Sequence, residues 1–297
     1  MRFGMQLPVQ SQSTYYVEPW EAAAGRDELA AIARACDEAG FDYVAVCDHV
    51  AIPADRAEAM GTTWYDTIAT LGWLAGITER VRLLSHVWVA AYRHPLVTAK
   101  AFATLDELSG GRVILGVGAG HVEAEFDVLG VPFGERGRRT DDAIDGIRDA
   151  WSGEFGWPGG GFGQRPRPRQ PGGPPIWVGG SSPAALRRAA RRGDGWLPQG
   201  TTKDQMADAI ATIREQRAEA GRDGEFTVGA ILRPLYLGTP EVGWDLGRAT
   251  LAGDAERIRR EVADYEAFGV DQVQVRFRSR NCHEYLEQIE RFAQEVM

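Results

Sequence analysis

Short apolar runs alternate with longer amphipathic stretches along almost the whole chain. Several of these runs are apolar on both faces, as in Val113-Ile114-Leu115-Gly116-Val117, which is typical of parallel strands covered on both sides. The predicted strands are Arg2–Leu7, Tyr43–Cys47, Val81–Val89, Val113–Val117, Ile176–Val178, Gly195–Pro198, Phe226–Leu237 and Gln272–Phe277.

The stretches between these strands have the apolar spacing of helices that bury one face. The predicted helices are Asp27–Ala39, Asp66–Thr78, Pro95–Leu108, Thr140–Trp151, Pro183–Arg192, Lys203–Ala220, Asp254–Phe268 and Glu284–Val296. Glycines such as Gly40 and Gly269 stand where a helix is expected to end. Eight alternations favour an α/β fold of the (β/α)8 TIM barrel type over a doubly wound sheet, so we expect residues 1–297 to form one barrel domain.

One stretch, residues 153–175, breaks this alternation. It is rich in Gly, Pro, Arg and Trp, and it contains Gly159-Gly160-Gly161. Long loops inside compact domains usually carry function. We therefore expect a Gly/Pro-rich insertion before the fifth strand that serves as an active-site loop.

The composition narrows the classes of function. Hydrophobic residues make up 44% and charged residues 25% of the 297 residues, a balance that supports a large globular core. The net charge of −9 argues against general nucleic-acid binding, which needs clustered Lys and Arg. The sequence shows no transmembrane-length apolar run and no signal-peptide core, so we expect a soluble cytoplasmic protein without a membrane partner.

Asp48 and His49 follow directly after the second predicted strand. In a parallel barrel the carboxyl ends of the strands carry the chemistry. A carboxylate beside an imidazole at that edge is a candidate for proton transfer and cofactor contact. Gly116–Gly120 follows the fourth strand, where glycines either admit a ligand or relieve crowding at the rim. Glu125 adds an ionisable group nearby, or else stabilises a helix start through the dipole.

A second glycine pair follows the fifth predicted strand. Gly179 and Gly180 precede Ser181, Ser182 as the expected N-cap and Pro183 as the first helical residue. The free N–H groups and positive end of a helix suit an anion such as a phosphate. Ordinary helix capping with a solvated basic face is the alternative.

Aromatic residues concentrate in segments that follow the first three strands and in the long loop. They are Tyr15, Tyr16, Trp20, Trp64, Tyr65, Trp88, Tyr92, Trp157 and Phe162, and this placement predicts a pocket for an apolar or planar substrate. Arg276 and Arg278 either bind an anionic group or pair with local carboxylates. No metal site is predicted, because Cys36, Cys47 and Cys282 lack ligand spacing and no His-x-His follows the first strand.

Taken together, these motifs resemble the bacterial luciferase-like monooxygenase superfamily, in the branch that uses the deazaflavin coenzyme F420. The matching segments are Asp48-His49, Arg93-His94-Pro95, Ala99-Lys100, Thr104-Leu105-Asp106, Leu108–Arg112, Gly116–Gly120, Glu125-Phe126, Gly130–Phe133, Arg136-Gly137, Pro174–Gly180 and Gly193–Pro198. They are specific to the superfamily and discriminate less well between F420 and FMN.

The resemblance implies roles for particular residues. His49 would be the acid–base partner near the reactive carbon of the ring, with Glu125 as the second catalytic candidate. Ser85-His86 matches the pair that carries a non-proline cis peptide in the family's third strand. The implied cofactor-binding residues are Asp48, Ser85, His86, Gly118, Ala119, Gly120, Gly179, Gly180 and Ser181. His121 departs from the glutamate that some sugar-phosphate dehydrogenases of the family place after Gly-x-Gly.

We therefore predict an F420-dependent oxidoreductase that transfers a hydride between the coenzyme and a small organic substrate. One alternative is an FMN-dependent two-component monooxygenase with the same fold and motifs. The other is a non-catalytic F420-binding protein, against which the aromatic pocket counts. A homodimer is implied by the resemblance alone.

Overall fold

The strands of the chain close into a parallel barrel. The computed structural model describes residues 1–11, 13, 17–247 and 249–297. Within these residues the eight barrel strands are β1 (Arg2–Gln6), β2 (Tyr43–Val46), β3 (Arg82–Ser85), β4 (Val113–Gly118), β5 (Ile176–Gly179), β6 (Gly195–Leu197), β7 (Thr227–Ile231) and β8 (Gln272–Val275). Each strand pairs with the next, and β8 returns to β1 with Val273 opposite Phe3. The predicted (β/α)8 barrel is confirmed.

Helices surround this barrel in the order that the alternation predicts. In the described part of the chain the eight long ones are α1 (Arg26–Ala39), α2 (Thr67–Ala75), α3 (Pro95–Leu108), α4 (Arg136–Ser152), α5 (Pro183–Arg192), α6 (Lys203–Glu219), α7 (Ala255–Ala267) and α8 (Cys282–Glu295). Two shorter α-helices, Ala57–Met60 and Glu123–Val128, lie in the loops after β2 and β4. Single 3₁₀ turns occupy Pro19–Ala22, Ala54–Arg56, Ala90–Tyr92 and Phe133–Glu135. None of the helices that can be described is long and apolar enough to cross a membrane.

The barrel interior is filled by a few large side chains that face glycines. The rings of Tyr43 and Trp177 meet edge to face at 5.7 Å inside the barrel. A Cβ atom at Gly4 would fall on the Tyr43 ring, and one at Gly195 would lie 2.5 Å from Trp177. Because interiors are close-packed, the bulk of these two rings requires glycine opposite them. The larger core lies outside, between the strands and the helices.

The third predicted strand, Val81–Val89, is interrupted. The structure has β3 and a short strand, Trp88–Val89, separated by a cis peptide bond between His86 and Val87. The expected position of that bond, Ser85-His86, is therefore wrong by one residue. The physical reason is that the strand ladder extends one step further, since the His86 amide donates to the Val46 carbonyl at 2.7 Å.

The seventh predicted strand, Phe226–Leu237, is two strands in different sheets. Thr227–Ile231 belongs to the barrel, whereas Leu235–Leu237 pairs with Leu251–Gly253 in a separate two-stranded sheet. Pro234 stands between the two segments and has no N–H to continue a ladder.

Residues 153–175 run along the outside of the barrel. They join the end of α4 to the start of β5, so both ends lie at the amino-terminal side of the strands. Gln164 Nε2 donates to the Leu96 carbonyl at 3.1 Å, and Gln170 Nε2 donates to Asp106 Oδ1 at 2.7 Å, both on α3. The Trp157 ring lies 5.3 Å from the ring of His94, which caps the start of α3. Its role as an active-site loop stays a prediction.

Substitution of Gly116 tests how tightly β3 and β4 pack against each other. A Cβ atom at this position would fall on the Ser85 carbonyl oxygen, which belongs to the backbone and has little freedom to move. We expect Gly116→Ala to lower the free energy of unfolding by about 2 kcal/mol or more, measured by urea denaturation. Gly72→Ala in α2, where a Cβ meets open space, is the matched control and is expected to be neutral or slightly stabilising. Equal stabilities of the two variants would contradict this packing.

Candidate active site

A cavity opens at the carboxyl ends of the strands, beside the loop that follows β2. Its volume is about 340 Å³, and it is lined by His49, Val50, Trp64, Asp66, Tyr92, Arg93 and Leu129. The carboxyl end of a parallel barrel is where catalytic groups collect, because loops from several strands converge there. His49, the strongest candidate from the sequence, faces this cavity.

His49 is held by Glu125, 76 positions away in the chain. His49 Nδ1 lies 2.6 Å from Glu125 Oε2, and the other carboxylate oxygen accepts from the amides of Val50 at 2.8 Å and Ala51 at 3.2 Å. The Glu125 side chain is fully buried, and that of His49 is 12% exposed. The structure therefore brings together the two residues predicted to be catalytic, and the same carboxylate also fixes the loop that carries the imidazole.

The contact defines which His49 nitrogen exchanges protons. An ionised carboxylate only accepts hydrogen bonds, so Nδ1 carries the hydrogen and Nε2 is the atom whose protonation can change. Burial alone would raise the pKa of Glu125, but the hydrogen bond and charge of His49, with the two loop amides, hold that pKa below its usual value. Glu125 thus remains an anion that stabilises a positive charge on His49.

Aromatic rings surround the imidazole. The Trp64 ring lies 4.4 Å from the His49 ring, and the His121 ring lies 5.7 Å away, both edge to face. Tyr92 packs against Phe126 at 4.7 Å, and burial, reinforced by the nearby Glu125 carboxylate, raises the pKa of Tyr92. Of these rings, Trp64 and Tyr92 line the cavity beside His49, so two of the aromatic residues singled out in the sequence reach it.

Both carboxylate oxygens of Asp48 have hydrogen-bond partners within the protein. Its Oδ2 accepts from Arg93 at 2.6 Å and from the Val89 amide at 2.8 Å, while Oδ1 accepts from Arg93 at 2.9 Å. The guanidinium stacks on the Trp88 ring at 3.7 Å. This bidentate pair ties the loop after β2 to the segment after β3, which is a positioning task. The expected contact of Asp48 with a cofactor stays a prediction.

The strand-end glycines make room for Val87, the residue after the cis bond. A Cβ atom on Gly118 would collide with Val87, and one on Gly179 would lie 2.5 Å from its Cγ1. Gly120, at φ +77°, would bring a Cβ atom to 2.8 Å from Val89. Ala119 between them is half-buried, as is Val87 itself. Val87 therefore forms part of the floor of the barrel mouth. Of the two explanations for these glycines, access for a ligand or relief of crowding, the structure shows relief of crowding.

Ser85 and His86 both point to internal partners. The Ser85 hydroxyl donates to the Gly116 carbonyl at 3.0 Å and accepts from the Gly116 amide at 3.1 Å. His86 Nδ1 lies 3.1 Å from Gln274 Nε2 on β8, in a buried position. Burial lowers the pKa of His86 to about 4. Ser85 thus joins β3 to β4 by hydrogen bonds, while His86 lies inside the barrel.

The predicted anion site has the expected local structure. Ser182 caps α5 by accepting from the Ala185 amide at 3.2 Å, and Pro183 is the first helical residue. The Ser181 hydroxyl, however, donates to the Gln199 carbonyl at 2.8 Å and accepts from Thr201 at 2.6 Å. Any anion bound here would depend mainly on backbone N–H groups, with Gly180 at φ +91° turning the chain.

Several other candidates have internal partners. Arg276 is buried and donates to both Glu21 oxygens at 2.8 Å, and Arg278 pairs with Glu18 at 2.9 Å, so both arginines have local carboxylates as partners. Trp64 and Tyr92 line the cavity, whereas Trp88 is core and Phe162 is exposed on the loop. Tyr15 and Tyr16 lie outside the described residues. Within the part of the chain that the structure covers, no cluster of three metal-ligating side chains is present.

Sequence reasoning missed two side chains that shape this site. Arg93 appeared only as part of a motif, although it neutralises Asp48 and lines the cavity. Gln274 was not singled out, although a glutamine on an inward-facing strand position is an unusual core residue and was the available signal. Contacts between distant segments such as β8 and β3 leave no trace in a single sequence.

Comparison with known proteins identifies a matching family and similar enzymes. The family described as luciferase-like monooxygenase matches residues 1–251. An F420-dependent hydroxymycolic acid dehydrogenase of Mycobacterium tuberculosis is 35% identical over 207 residues, 66% of this chain and 55% of that protein. An F420-dependent glucose-6-phosphate dehydrogenase of Nakamurella multipartita is 33% identical over 217 residues, 67% of this chain and 60% of that protein.

Among solved structures, the monooxygenase RslO1 from Streptomyces bottropensis superimposes with a TM-score of 0.80. The match covers 100% of this chain and 98% of that one at 23% identity. At this level of identity the likeness concerns the fold.

The Asp48–Arg93 pair predicts a stability effect. Asp48→Asn leaves the largely buried Arg93 guanidinium without its counter-charge, so we expect the free energy of unfolding to fall by about 3 kcal/mol, measured by urea denaturation. Asp142→Asn removes the exposed pair with Arg138 and is the control, with an expected change below about 0.5 kcal/mol. If Asp48→Asn were as stable as the control, the Asp48 carboxylate would not stabilise the contact between the loop after β2 and the segment after β3.

Proposed function

Since the chain belongs to the luciferase-like monooxygenase family, we propose that it is an F420-dependent oxidoreductase that transfers a hydride between the deazaflavin coenzyme and a small organic substrate. The observation that carries the proposal is the 2.6 Å contact between His49 and Glu125 at the barrel mouth. An imidazole oriented by a buried carboxylate is a proton-transfer device, and hydride transfer to or from a carbon–oxygen bond needs one.

The choice of cofactor rests on the relatives. Two of them, at 35% and 33% identity, are F420-dependent dehydrogenases by name. When bound, a deazaflavin supplies two-electron hydride transfer, because carbon stands where a flavin has its reactive nitrogen. The remaining task of the protein is to position the reactants, move a proton and exclude water.

The mouth of the barrel suits a flat ring. Gly118 and Gly179 have no side chains, and half-buried Val87 lies across them, so the floor between β3 and β5 is low and apolar. A ring resting on Val87 would have His49, Trp64 and Tyr92 at its side, where the substrate would approach.

We assign His49 Nε2 as the atom that gives a proton to the substrate oxygen as the hydride arrives, or takes it when the hydride leaves. Glu125 keeps Nδ1 protonated and stabilises the imidazolium that forms when Nε2 holds a proton. Trp64 and Tyr92 shield this exchange from bulk water. His121 is exposed and its ring lies 5.7 Å from the His49 ring, which suits it to pass protons between His49 and solvent.

The cofactor assignment predicts the outcome of a paired titration. Oxidised and reduced F420 and FMN are each added to the purified protein, and binding is followed by fluorescence. We expect micromolar or tighter binding of F420, and FMN binding at least about tenfold weaker. Preference for reduced FMN would indicate a two-component monooxygenase instead, and binding of neither cofactor would remove the proposal.

The proton-transfer assignment predicts a selective loss of turnover. We expect His49→Ala to bind F420 normally but to lower kcat about 10²–10⁴-fold, measured as the loss of F420 fluorescence with whichever alcohol a hydride-donor screen identifies. His283→Ala, on the exposed surface of α8, is the matched control and should turn over at the wild-type rate. Full activity of His49→Ala would exclude the role. A protein that binds F420 tightly but reduces it with no donor would be a binding protein.

A further inference from the structure

Exposed apolar side chains border the cavity beside His49. Val50, on the loop after β2, is 52% exposed, and Leu129, directly after the short helix Glu123–Val128, is 37% exposed. Both of them line the cavity. Val128, next to Leu129 in the chain, is 71% exposed. A single exposed apolar residue is ordinary, whereas several at the edge of one cavity mark a place where an apolar partner binds.

The local structure explains why these side chains face outward. The short helix Glu123–Val128 buries Glu125 completely and leaves Val128 and the following Leu129 on the outside, where a surface helix normally has polar residues. The Val50 amide donates to Glu125 Oε1 at 2.8 Å, and its side chain points into water. The carboxylate that orients His49 therefore also holds the apolar rim in place.

The charges at the cavity do not suit an anionic substrate. Among the described residues that line it, Arg93 is the one arginine or lysine, and it already donates two hydrogen bonds to Asp48. Asp66 also lines the cavity, and Glu125 lies behind His49. Three carboxylates thus accompany one guanidinium, so a phosphate or carboxylate group entering the cavity would be repelled.

We propose that the substrate is an uncharged secondary alcohol, or the matching ketone, with an apolar chain or ring that packs on Val50 and Leu129. This inference rests on the proposed function and adds the class of substrate to it. In the oxidative direction the carbinol carbon loses its hydride to oxidised F420, the hydroxyl proton goes to His49 Nε2, and a carbonyl group remains. The polar end of such a molecule meets the catalytic pair, while its apolar part displaces water from the rim.

The first test is a series of 2-alkanols from 2-propanol to 2-decanol with oxidised F420, and of the matching ketones with reduced F420. We expect kcat/KM to rise about two- to fourfold for each added methylene until the chain passes the rim, because each methylene leaves water. 3-Hydroxybutyrate, which is 2-butanol with a terminal carboxylate, should be at least about tenfold less efficient than 2-butanol, because it meets like charge.

The second test makes the rim polar. Val50→Thr/Leu129→Asn nearly keeps the size of both side chains, and the bond from the Val50 amide to Glu125 is unaffected because the backbone makes it. We expect the ratio of kcat/KM for 2-octanol to that for 2-propanol to fall about tenfold, mainly through KM. This ratio cancels any change in coenzyme affinity, which both alcohols share.

The matched control carries the same two changes at exposed positions that do not line the cavity. Val242→Thr/Leu108→Asn should keep the wild-type ratio. A measurement without turnover is calorimetric titration of 2-octanol into protein saturated with reduced F420, which accepts no further hydride. The Kd for 2-octanol should be about tenfold higher in the rim variant than in wild type and in the control.

The outcomes separate this inference from the proposed function. If wild-type protein does not bind F420, the proposed function fails, and the substrate class fails with it. If it binds F420 and turns over other compounds but shows no rise with chain length, or turns over nothing in the series, only the substrate class is overturned. Preference for 3-hydroxybutyrate over 2-butanol would overturn it as well, with the exposed Arg56 on the loop after β2 as the available cation. An equal fall of the ratio in the control variant would contradict the role of the rim.

Discussion

The mouth of the barrel depends on one buried carboxylate. Glu125 accepts hydrogen bonds from His49 Nδ1, from the amides of Val50 and Ala51 and from the Tyr92 hydroxyl. A buried carboxylate persists only when its oxygens are hydrogen-bonded, and these contacts supply that condition. Because Glu125 lies on the short helix after β4 and the first three of these partners on the loop after β2, it joins two strand ends that are not neighbours.

A second charged pair supports the same loop from behind. Asp48, adjacent to His49, holds Arg93 in a bidentate contact, and the guanidinium rests on Trp88. The loop after β2 is thus fixed at consecutive residues by partners in the segments after β4 and β3. This explains how an imidazole that is mostly buried can keep one geometry at a loop position, which catalysis requires.

Much of the fold could be predicted from the sequence, because each strand–helix unit is a local pattern. The candidate site was only partly predictable. His49 and Glu125 were each identifiable from position, but their contact spans 76 residues, and Arg93 as the partner of Asp48 had no local signal. The errors have local causes: Pro234 splits a strand, and the His86–Val46 hydrogen bond moves the cis bond by one residue. For the glycines at the end of β4 the sequence left ligand access and relief of crowding open, and at Gly118 the structure shows relief of crowding around Val87. The contact of Gly179 with Val87 was not predicted.

The proposed function requires the deazaflavin ring to bind beside His49. The direct measurement is a crystal structure of the protein with oxidised F420. We expect the ring to lie on Val87 at the barrel mouth, with its reactive carbon facing the cavity beside His49 Nε2 and with the His49–Glu125 contact intact. A ring bound elsewhere, or a mouth in which His49 has turned away from Glu125, would contradict the account.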